Sequence, residues 1–160
     1  MSKTAISAPE LAPPVGPFSQ AIEVGGFLYF SGQVGQDPAT GKVVEGGIVA
    51  ETERVFRNLA AVLKAAGKGF DDVVRAGVYL TSMSDYAAVN GIYARHFSKP
   101  FPARTAIAVA ALPLGACIEI DLNALPQALT TRSISTQAPS GSAATPIVVR
   151  AGKGWLKCIA

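Results

Sequence analysis

The chain has 160 residues, of which 49% are hydrophobic and 16% are charged. This length and composition fit one globular domain with a buried core and exclude a disordered, highly charged chain. The formal net charge of +3 is unevenly distributed, because residues 1–126 carry 10 basic and 11 acidic side chains and residues 127–160 carry only basic ones. We therefore expect no nucleic-acid partner for the domain itself, since it lacks an excess of basic groups.

The sequence predicts a cytoplasmic protein without a membrane span. Its two cysteines, Cys117 and Cys158, are too few for the disulfide framework of an extracellular protein. They belong to no CxxC or Cys/His cluster, so no metal site is expected either. The start, MSKTAISAPELAPP, lacks the apolar core of a secretory signal. No run of 18 apolar residues occurs in the chain.

The first half of the chain predicts a hairpin followed by a helix. In QAIEVGGFLYFSGQV, two strand-like runs flank Gly25 and Gly26, the pair that a tight hairpin turn requires. From Ile48 to Ala66, apolar side chains recur at three- and four-residue spacing, which indicates an amphipathic helix. Gly67 follows as the predicted left-handed residue that ends this helix.

The second half predicts a strand, a second helix and two further strands. DDVVRAGVYLT is a valine-rich strand, and residues 104–110 and 116–122 form two more strands. Ser84 is the predicted N-cap of the second helix, which ends before Pro100. This helix is expected to bury one face formed by Tyr86, Val89, Tyr93 and Phe97.

The element order ββ-α-β-α-ββ predicts an α+β domain, with two helices on one face of a mixed, mostly antiparallel sheet. The predicted strand VVRAGVYL has apolar residues on both of its faces. Val74 shares one face with residues 76, 78 and 80, and Val73 shares the other with residues 77 and 79. Two helices cover only one face, so the other face is predicted to pack against another copy of the chain. Residues 127–160 are rich in small and polar residues without a clear period and are predicted to be a flexible extension of the domain at 1–126.

Standard catalytic motifs are missing from the sequence. Its Gly-Lys-Gly pairs lack the spacing of a phosphate-binding loop, and no serine lies in a GxSxG turn. The single histidine, His96, has no metal-ligand partner at helical spacing. Cys117 lies in an apolar strand, where cysteine usually packs as a small hydrophobe.

The remaining chemical candidates are Arg104 and Glu119, which lie among aliphatic residues that read as buried strands. Burial of a charge costs several kcal/mol unless it is paired or binds something. One interpretation is an internal ion pair between neighbouring strands. The other is a cleft in which the guanidinium binds an anionic substrate through two parallel hydrogen bonds and the carboxylate handles a proton or water. The residues alone leave both interpretations open.

Five segments together resemble the RidA/YjgF family of reactive-intermediate deaminases: GPFSQA (16–21), FSGQVG (30–35), AVNGIY (88–93), FPAR (101–104) and IEID (118–121). The resemblance spans the whole of residues 1–126. It implies a chorismate-mutase-like α+β fold, a homotrimer whose sheets form a central barrel, and ligand clefts between subunits. It also implies hydrolysis of enamines and imines such as 2-aminoacrylate and 2-iminopropanoate to 2-keto acids and ammonia, without a cofactor.

The resemblance also assigns roles to residues of this chain. It implies that Arg104 binds the substrate carboxylate and that Glu119 orients the attacking water. Ser31 and Gly32 are implied to line the cleft with backbone groups available for hydrogen bonds, and Asn90 to support it from the second helix.

Two positions depart from the family pattern: Phe18 stands where relatives often have tyrosine, and Ala106 where they often have cysteine. Loss of the phenol hydroxyl at Phe18 removes a hydrogen-bond donor from the predicted pocket. Two other functions stay open. Phe18 favours a regulatory protein that binds 2-keto acids without catalysis, and the resemblance also allows an RNA-directed ribonuclease or translation inhibitor, as some relatives have been described.

Overall fold

The structure is a computed structural model that describes residues 2–125. The predicted extension at 127–160 lies outside the described residues and stays a prediction. Two helices, α1 (Gly47–Ala65) and α2 (Tyr86–His96), accompany a seven-stranded sheet in this part of the chain. The strands are β1 (Lys3–Ile6), β2 (Ala21–Val24), β3 (Phe27–Phe30), β4 (Gln33–Val34), β5 (Val73–Leu80), β6 (Ala103–Ala108) and β7 (Ile118–Ala124).

The strands lie in the order β1-β2-β3-β7-β5-β6, and β4 also pairs with β7. Only β5 and β6 are parallel, because α2 forms the crossover between them; all other described pairs are antiparallel. This arrangement confirms the predicted α+β class and the mixed, mostly antiparallel sheet.

Both helices pack on the same face of the sheet. The apolar stripe of α1, including Val55 and Leu59, joins Val89 of α2 in one core with the sheet residues Val78 and Ile120. All five of these side chains are almost completely buried. The predicted helical periodicity therefore identified the face of α1 that builds the core.

Glycine residues with positive φ lie at the predicted hairpin turn and at the predicted end of α1. Gly25 and Gly26 have φ angles of 58° and 83°, as the two-residue turn between β2 and β3 requires. Gly67 ends α1 at φ 68°, with hydrogen bonds from Gly67 N to the carbonyl oxygen of Lys64 and from Lys68 N to that of Leu63. These two bonds form a Schellman motif.

The opposite face of the sheet is not covered by either helix. It carries Phe27, Tyr29 and Ile107, whose side chains are about half exposed, beside the polar cluster of Tyr79 and Asp121. Three large apolar side chains thus lie on an open sheet face, and the packing of this face against another copy stays a prediction.

The prediction placed two residues of β5 on the wrong faces. A bulge lies between Val73 and Arg75, so Val73 is buried on the helix side while Val74 is 38% exposed. The bulge inserts one extra residue and therefore reverses the alternation that holds for Ala76 onward.

Smaller differences concern element ends. The predicted N-cap Ser84 does not cap α2: the Ser82 hydroxyl oxygen accepts the hydrogen bond of Ser84 N, and a 3-10 turn at Met83–Asp85 precedes the helix. Strand β1 was not predicted, because four residues at a sheet edge give too short an alternating pattern. Strand β7 also begins and ends two residues later than predicted.

Candidate active site

Glu119 lines a cavity of about 220 Å³ on the face of the sheet that the helices leave uncovered. The alternation of β7 places Glu119 and Asp121 on this face and the isoleucines on either side of Glu119 in the core, as predicted. Residues 12–15, 31–34 and 113–114 supply much of the remaining wall of the cavity.

Burial raises the pKa of the Glu119 carboxyl above its usual value, and the nearby negative charge of Asp121 raises it further. No basic side chain of residues 2–125 forms an ion pair with Glu119. A half-buried carboxyl with a raised pKa and no cation partner can exchange a proton nearer to neutral pH than an ordinary glutamate.

Gly32 makes room for this carboxyl. A Cβ atom at position 32 would overlap Oε1 of Glu119 and approach its Cδ to 2.5 Å and its Cγ to 2.8 Å. The backbone of Gly32 therefore lies directly against the Glu119 side chain, at a position where any larger residue would displace it.

Ser31 and Gln20 shape the same cavity through backbone contacts. The Ser31 hydroxyl donates to the carbonyl oxygen of Ser19 at 2.7 Å, and the Ser31 N–H donates to the carbonyl oxygen of Gln20 at 3.0 Å. Both donors of Ser31 are thus occupied within the chain. The buried Gln20 accepts from Ala8 N through Oε1 at 2.6 Å, which fixes the N-terminal segment beside the cavity.

Phe18 lines the Glu119 cavity with its side chain 46% exposed. The ring lies over the tight turn at residues 16–18, where Phe18 N donates to the carbonyl oxygen of Gly16 at 2.8 Å. The predicted pocket residues Phe18, Ser31, Gly32 and Glu119 therefore lie together.

Arg104 lies in a different cavity, lined also by Asn90, Tyr93 and Phe101. Its Nη2 donates to the hydroxyl oxygen of Tyr86 at 2.9 Å, and its guanidinium carbon lies 4.6 Å from the centre of the Tyr93 ring. The two tyrosines of α2 thus hold the guanidinium by a hydrogen bond and a cation–π contact. No carboxylate in the described part of the chain pairs with it.

Two polar atoms beside Arg104 are buried without a hydrogen-bond partner among residues 2–125: Oδ1 of Asn90 and the hydroxyl of Tyr93. Burial raises the pKa of the Tyr93 phenol, although the positive charge of Arg104 opposes this. Buried polar atoms in proteins nearly always have a partner, so this cavity lacks a hydrogen-bonding group that a ligand, water or another chain could supply.

Within one chain, Arg104 and Glu119 lie on opposite faces of the sheet. Arg104 pairs across the strands with Ala76, whose side chain is in the core, whereas Glu119 pairs with Tyr79 on the uncovered face. The internal ion pair that the sequence left open is therefore not formed. The chain presents a guanidinium on one face and a carboxyl on the other. Each lies beside a cavity, and neither has an ionic partner in the described part of the chain.

The sequence did not single out Tyr86 or Gln20 as site residues. Tyr86 was expected only as a buried residue of the second helix. Its hydroxyl was the one sign of a further role, because it can accept a hydrogen bond from an arginine that faces the helix. Gln20 is a polar residue before a strand, and only the folded chain shows that its amide is buried. Among residues 2–125, no three His, Cys, Asp or Glu side chains are grouped as metal ligands would be.

The family model described as Endoribonuclease L-PSP, that of the RidA/YjgF proteins, matches residues 9–125. This chain belongs to that family. The 2-iminobutanoate/2-iminopropanoate deaminase of Capra hircus is 45% identical over 129 residues, which are 81% of this chain and 94% of the relative. The human protein of the same name is 45% identical over 120 residues, 75% of this chain and 88% of that protein.

Solved structures of RidA/YjgF relatives share the fold. RidA from an Antarctic Psychrobacter is 42% identical, with a TM-score of 0.73 over 76% of this chain and 98% of its own. Escherichia coli TdcF, crystallised with bound serine, is 26% identical, with a TM-score of 0.72 over 78% and 99% of the two chains. In this RidA/YjgF chain, neither described helix is long and apolar enough to cross a membrane.

Proposed function

We propose that this protein hydrolyses reactive 2-imino acids to 2-keto acids and ammonia. Curated relatives named 2-iminobutanoate/2-iminopropanoate deaminase match most of the chain at about 45% identity, which supports an enzyme of this kind. The serine bound in TdcF is a small molecule whose carboxylate is attached to the carbon that carries nitrogen, and a 2-imino acid has the same arrangement.

The catalytic site is formed by two copies of the chain. This proposal is supported by the placement of Arg104 and Glu119 on opposite faces of one sheet, each without an ionic partner among residues 2–125. A second copy that packs beside the uncovered face, with its edge strand β6 against the rim of the first sheet, brings its Arg104 to the Glu119 cavity of the first. Arg104 then binds the substrate carboxylate, and Asn90 lies beside that carboxylate.

The reaction needs a positioned water and a group that moves protons. Glu119 accepts a proton from water as the water oxygen attacks the carbon of the protonated imine. The C=N π electrons move onto the nitrogen, which gives a neutral tetrahedral carbinolamine. The same carboxyl then donates its proton to the amine nitrogen. The C–N bond breaks, ammonia leaves, and the hydroxyl proton passes to the departing ammonia as the keto group forms. The raised pKa of Glu119 suits both proton transfers.

The assembly belongs to this proposal. A homotrimer of chorismate-mutase-like subunits, with the uncovered sheet faces forming a central barrel, buries Phe27, Tyr29 and Ile107 and gives three inter-subunit clefts. Phe18 contacts the ligand through its ring, while Ser31 and Gly32 form the floor beside Glu119.

A coupled assay tests the activity. A dehydratase generates 2-iminopropanoate, and keto-acid formation is followed with and without this protein. We expect faster formation with the wild type, and no acceleration with Arg104→Ala although its oligomer stays intact. Unchanged acceleration by Arg104→Ala would remove that residue from the mechanism.

RNA cleavage, named in the family description, is not our proposal, because residues 1–126 have no excess of basic side chains. The same protein lacking residues 127–160, tested for RNA binding across salt concentrations, separates the domain from its basic extension. We place the enzyme in the cytoplasm, where imines released by other enzymes are hydrolysed.

A further inference from the structure

Three large apolar side chains line the Glu119 cavity while remaining exposed. Val15 is 65% exposed, Phe18 46% and Leu114 50%. They come from separate parts of the sequence, the N-terminal segment and the turn before β7. Exposed apolar side chains that gather at one cavity, instead of lying scattered over the surface, mark a binding surface.

The backbone at Leu114 is itself unusual. Leu114 has φ 58° and ψ 15°, in the left-handed region that bulky residues rarely occupy, and it lies in the 3-10 turn Pro113–Gly115. Leu114 is the one non-glycine residue with a positive φ in the described part of the chain. Strained residues of this kind persist where the surrounding structure holds them and are concentrated at ligand sites.

The polar side chains of the cavity are largely used within the chain. Gln20 and Ser31 hydrogen-bond to backbone groups, and Nε2 of Gln36 donates to the carbonyl oxygen of Gly41 at 2.9 Å. Glu119 has no partner among residues 2–125 and is assigned to the water. The apolar part of the cavity is therefore suited to an apolar ligand group, which needs no hydrogen bonds.

We propose that Val15, Phe18 and Leu114 form a subsite for the substrate side chain, and that the preferred substrates are 2-imino acids with leucine-sized apolar side chains. The methyl group of 2-iminopropanoate is too small to contact three such residues. This inference rests on the proposed deaminase function and adds its substrate class. One further methylene in a hydrophobic pocket raises kcat/KM by about tenfold or more.

The test compares imines that differ only in their side chain. An L-amino-acid oxidase, with catalase to remove peroxide, generates imines from alanine, 2-aminobutyrate and leucine, and keto-acid formation is measured with and without this protein. We expect kcat/KM to rise along this series, with the leucine-derived imine at least about tenfold above the alanine-derived one.

Leu114→Asn is the decisive variant, because asparagine has a similar size and tolerates the left-handed conformation. We expect it to lower kcat/KM for the leucine-derived imine by about tenfold and for the alanine-derived imine by less than about twofold. Leu114→Gly, which fits the same φ, should act alike. The matched control is Leu125→Asn, since Leu125 is 44% exposed and lies outside this cavity.

The outcomes separate the two proposals. Acceleration of all imines without preference, or a preference that Leu114→Asn leaves intact, overturns the side-chain subsite but not the deaminase. Acceleration of no imine overturns the deaminase, and calorimetry then tests the subsite alone. Tighter binding of 4-methyl-2-oxopentanoate than of pyruvate, lost in Leu114→Asn, supports it; equal binding of the two keto acids overturns it.

Discussion

Arg104 and Tyr86 are joined by a hydrogen bond of 2.9 Å from Nη2 of the guanidinium to the hydroxyl oxygen of the tyrosine. Tyr86 begins α2, and Arg104 lies near the start of β6, so this contact ties the helix to the edge strand at the site. It occupies one donor of the guanidinium and leaves the others for a carboxylate.

Tyr86→Phe should weaken substrate binding while chemistry is nearly unchanged. The ring and its contact with Arg104 remain, but the guanidinium loses the hydrogen bond that orients it, a charged bond of about 1.5–3 kcal/mol. We expect KM to rise roughly tenfold and kcat to change by less than about twofold. Tyr29→Phe, which removes a hydroxyl from the uncovered face, is the control; equal KM values for Tyr86→Phe and wild type would contradict this positioning role.

Gly32→Ala should nearly abolish activity, because the new Cβ would overlap the Glu119 carboxyl and displace it. A small displacement of a catalytic group commonly costs about 100-fold in rate. Gly69→Ala is the control, because nothing lies within 4 Å of its added Cβ. The measurement is kcat/KM for a 2-imino acid together with the melting temperature. Full activity of a folded Gly32→Ala protein would argue against the assigned position of Glu119.

The pH dependence of kcat should depend on Asp121, the charged neighbour of Glu119. Burial and then the charge of Asp121 raise the pKa of Glu119, so the ionised base is lost at a higher pH than in an ordinary glutamate. Asp121→Asn removes that charge, lowers the pKa of Glu119 and should shift the acidic limb of kcat to lower pH. Asp71→Asn, on the surface turn before β5, should leave the limb in place. An unchanged limb in Asp121→Asn would show that another group controls it.

His96 should make stability depend on pH. Its ring stacks on Phe56 at 4.1 Å, and burial lowers its pKa below the usual value, against the opposing effect of Glu53. As the pH falls through 6.5, His96 is therefore protonated in the unfolded chain before it is protonated in the folded one. The free energy of unfolding decreases below that pH. His96→Phe keeps the stacked ring and should lose less stability between pH 7.5 and 5 in urea titrations. Equal losses in both proteins would contradict this assignment.

The sequence predicted those parts of the fold that depend on local geometry. Gly25 and Gly26 define their turn because few other residues adopt two successive positive φ angles. The alternation around Glu119 predicted its face of β7 for a similar reason, since the pleat has a period of two residues.

Features that depend on register could not be predicted in this way. The bulge at Val74 reverses one alternation, and nothing in the local pattern marks it. The face on which Arg104 lies follows from its pairing with Ala76 across the β5–α2–β6 crossover, a contact between residues 28 positions apart. The separation of Arg104 from Glu119 is therefore visible only in the folded chain.

If each active site takes Arg104 from one copy and Glu119 from another, exchange of subunits between two inactive variants restores activity. Arg104→Ala and Glu119→Gln proteins, each inactive alone, are unfolded together, refolded as mixed oligomers and assayed with a 2-imino acid. Random mixing in equal amounts should restore about a quarter of the wild-type activity, because about one inter-subunit site in four then contains both intact residues. Mixed oligomers that are as inactive as their parents would contradict the shared site.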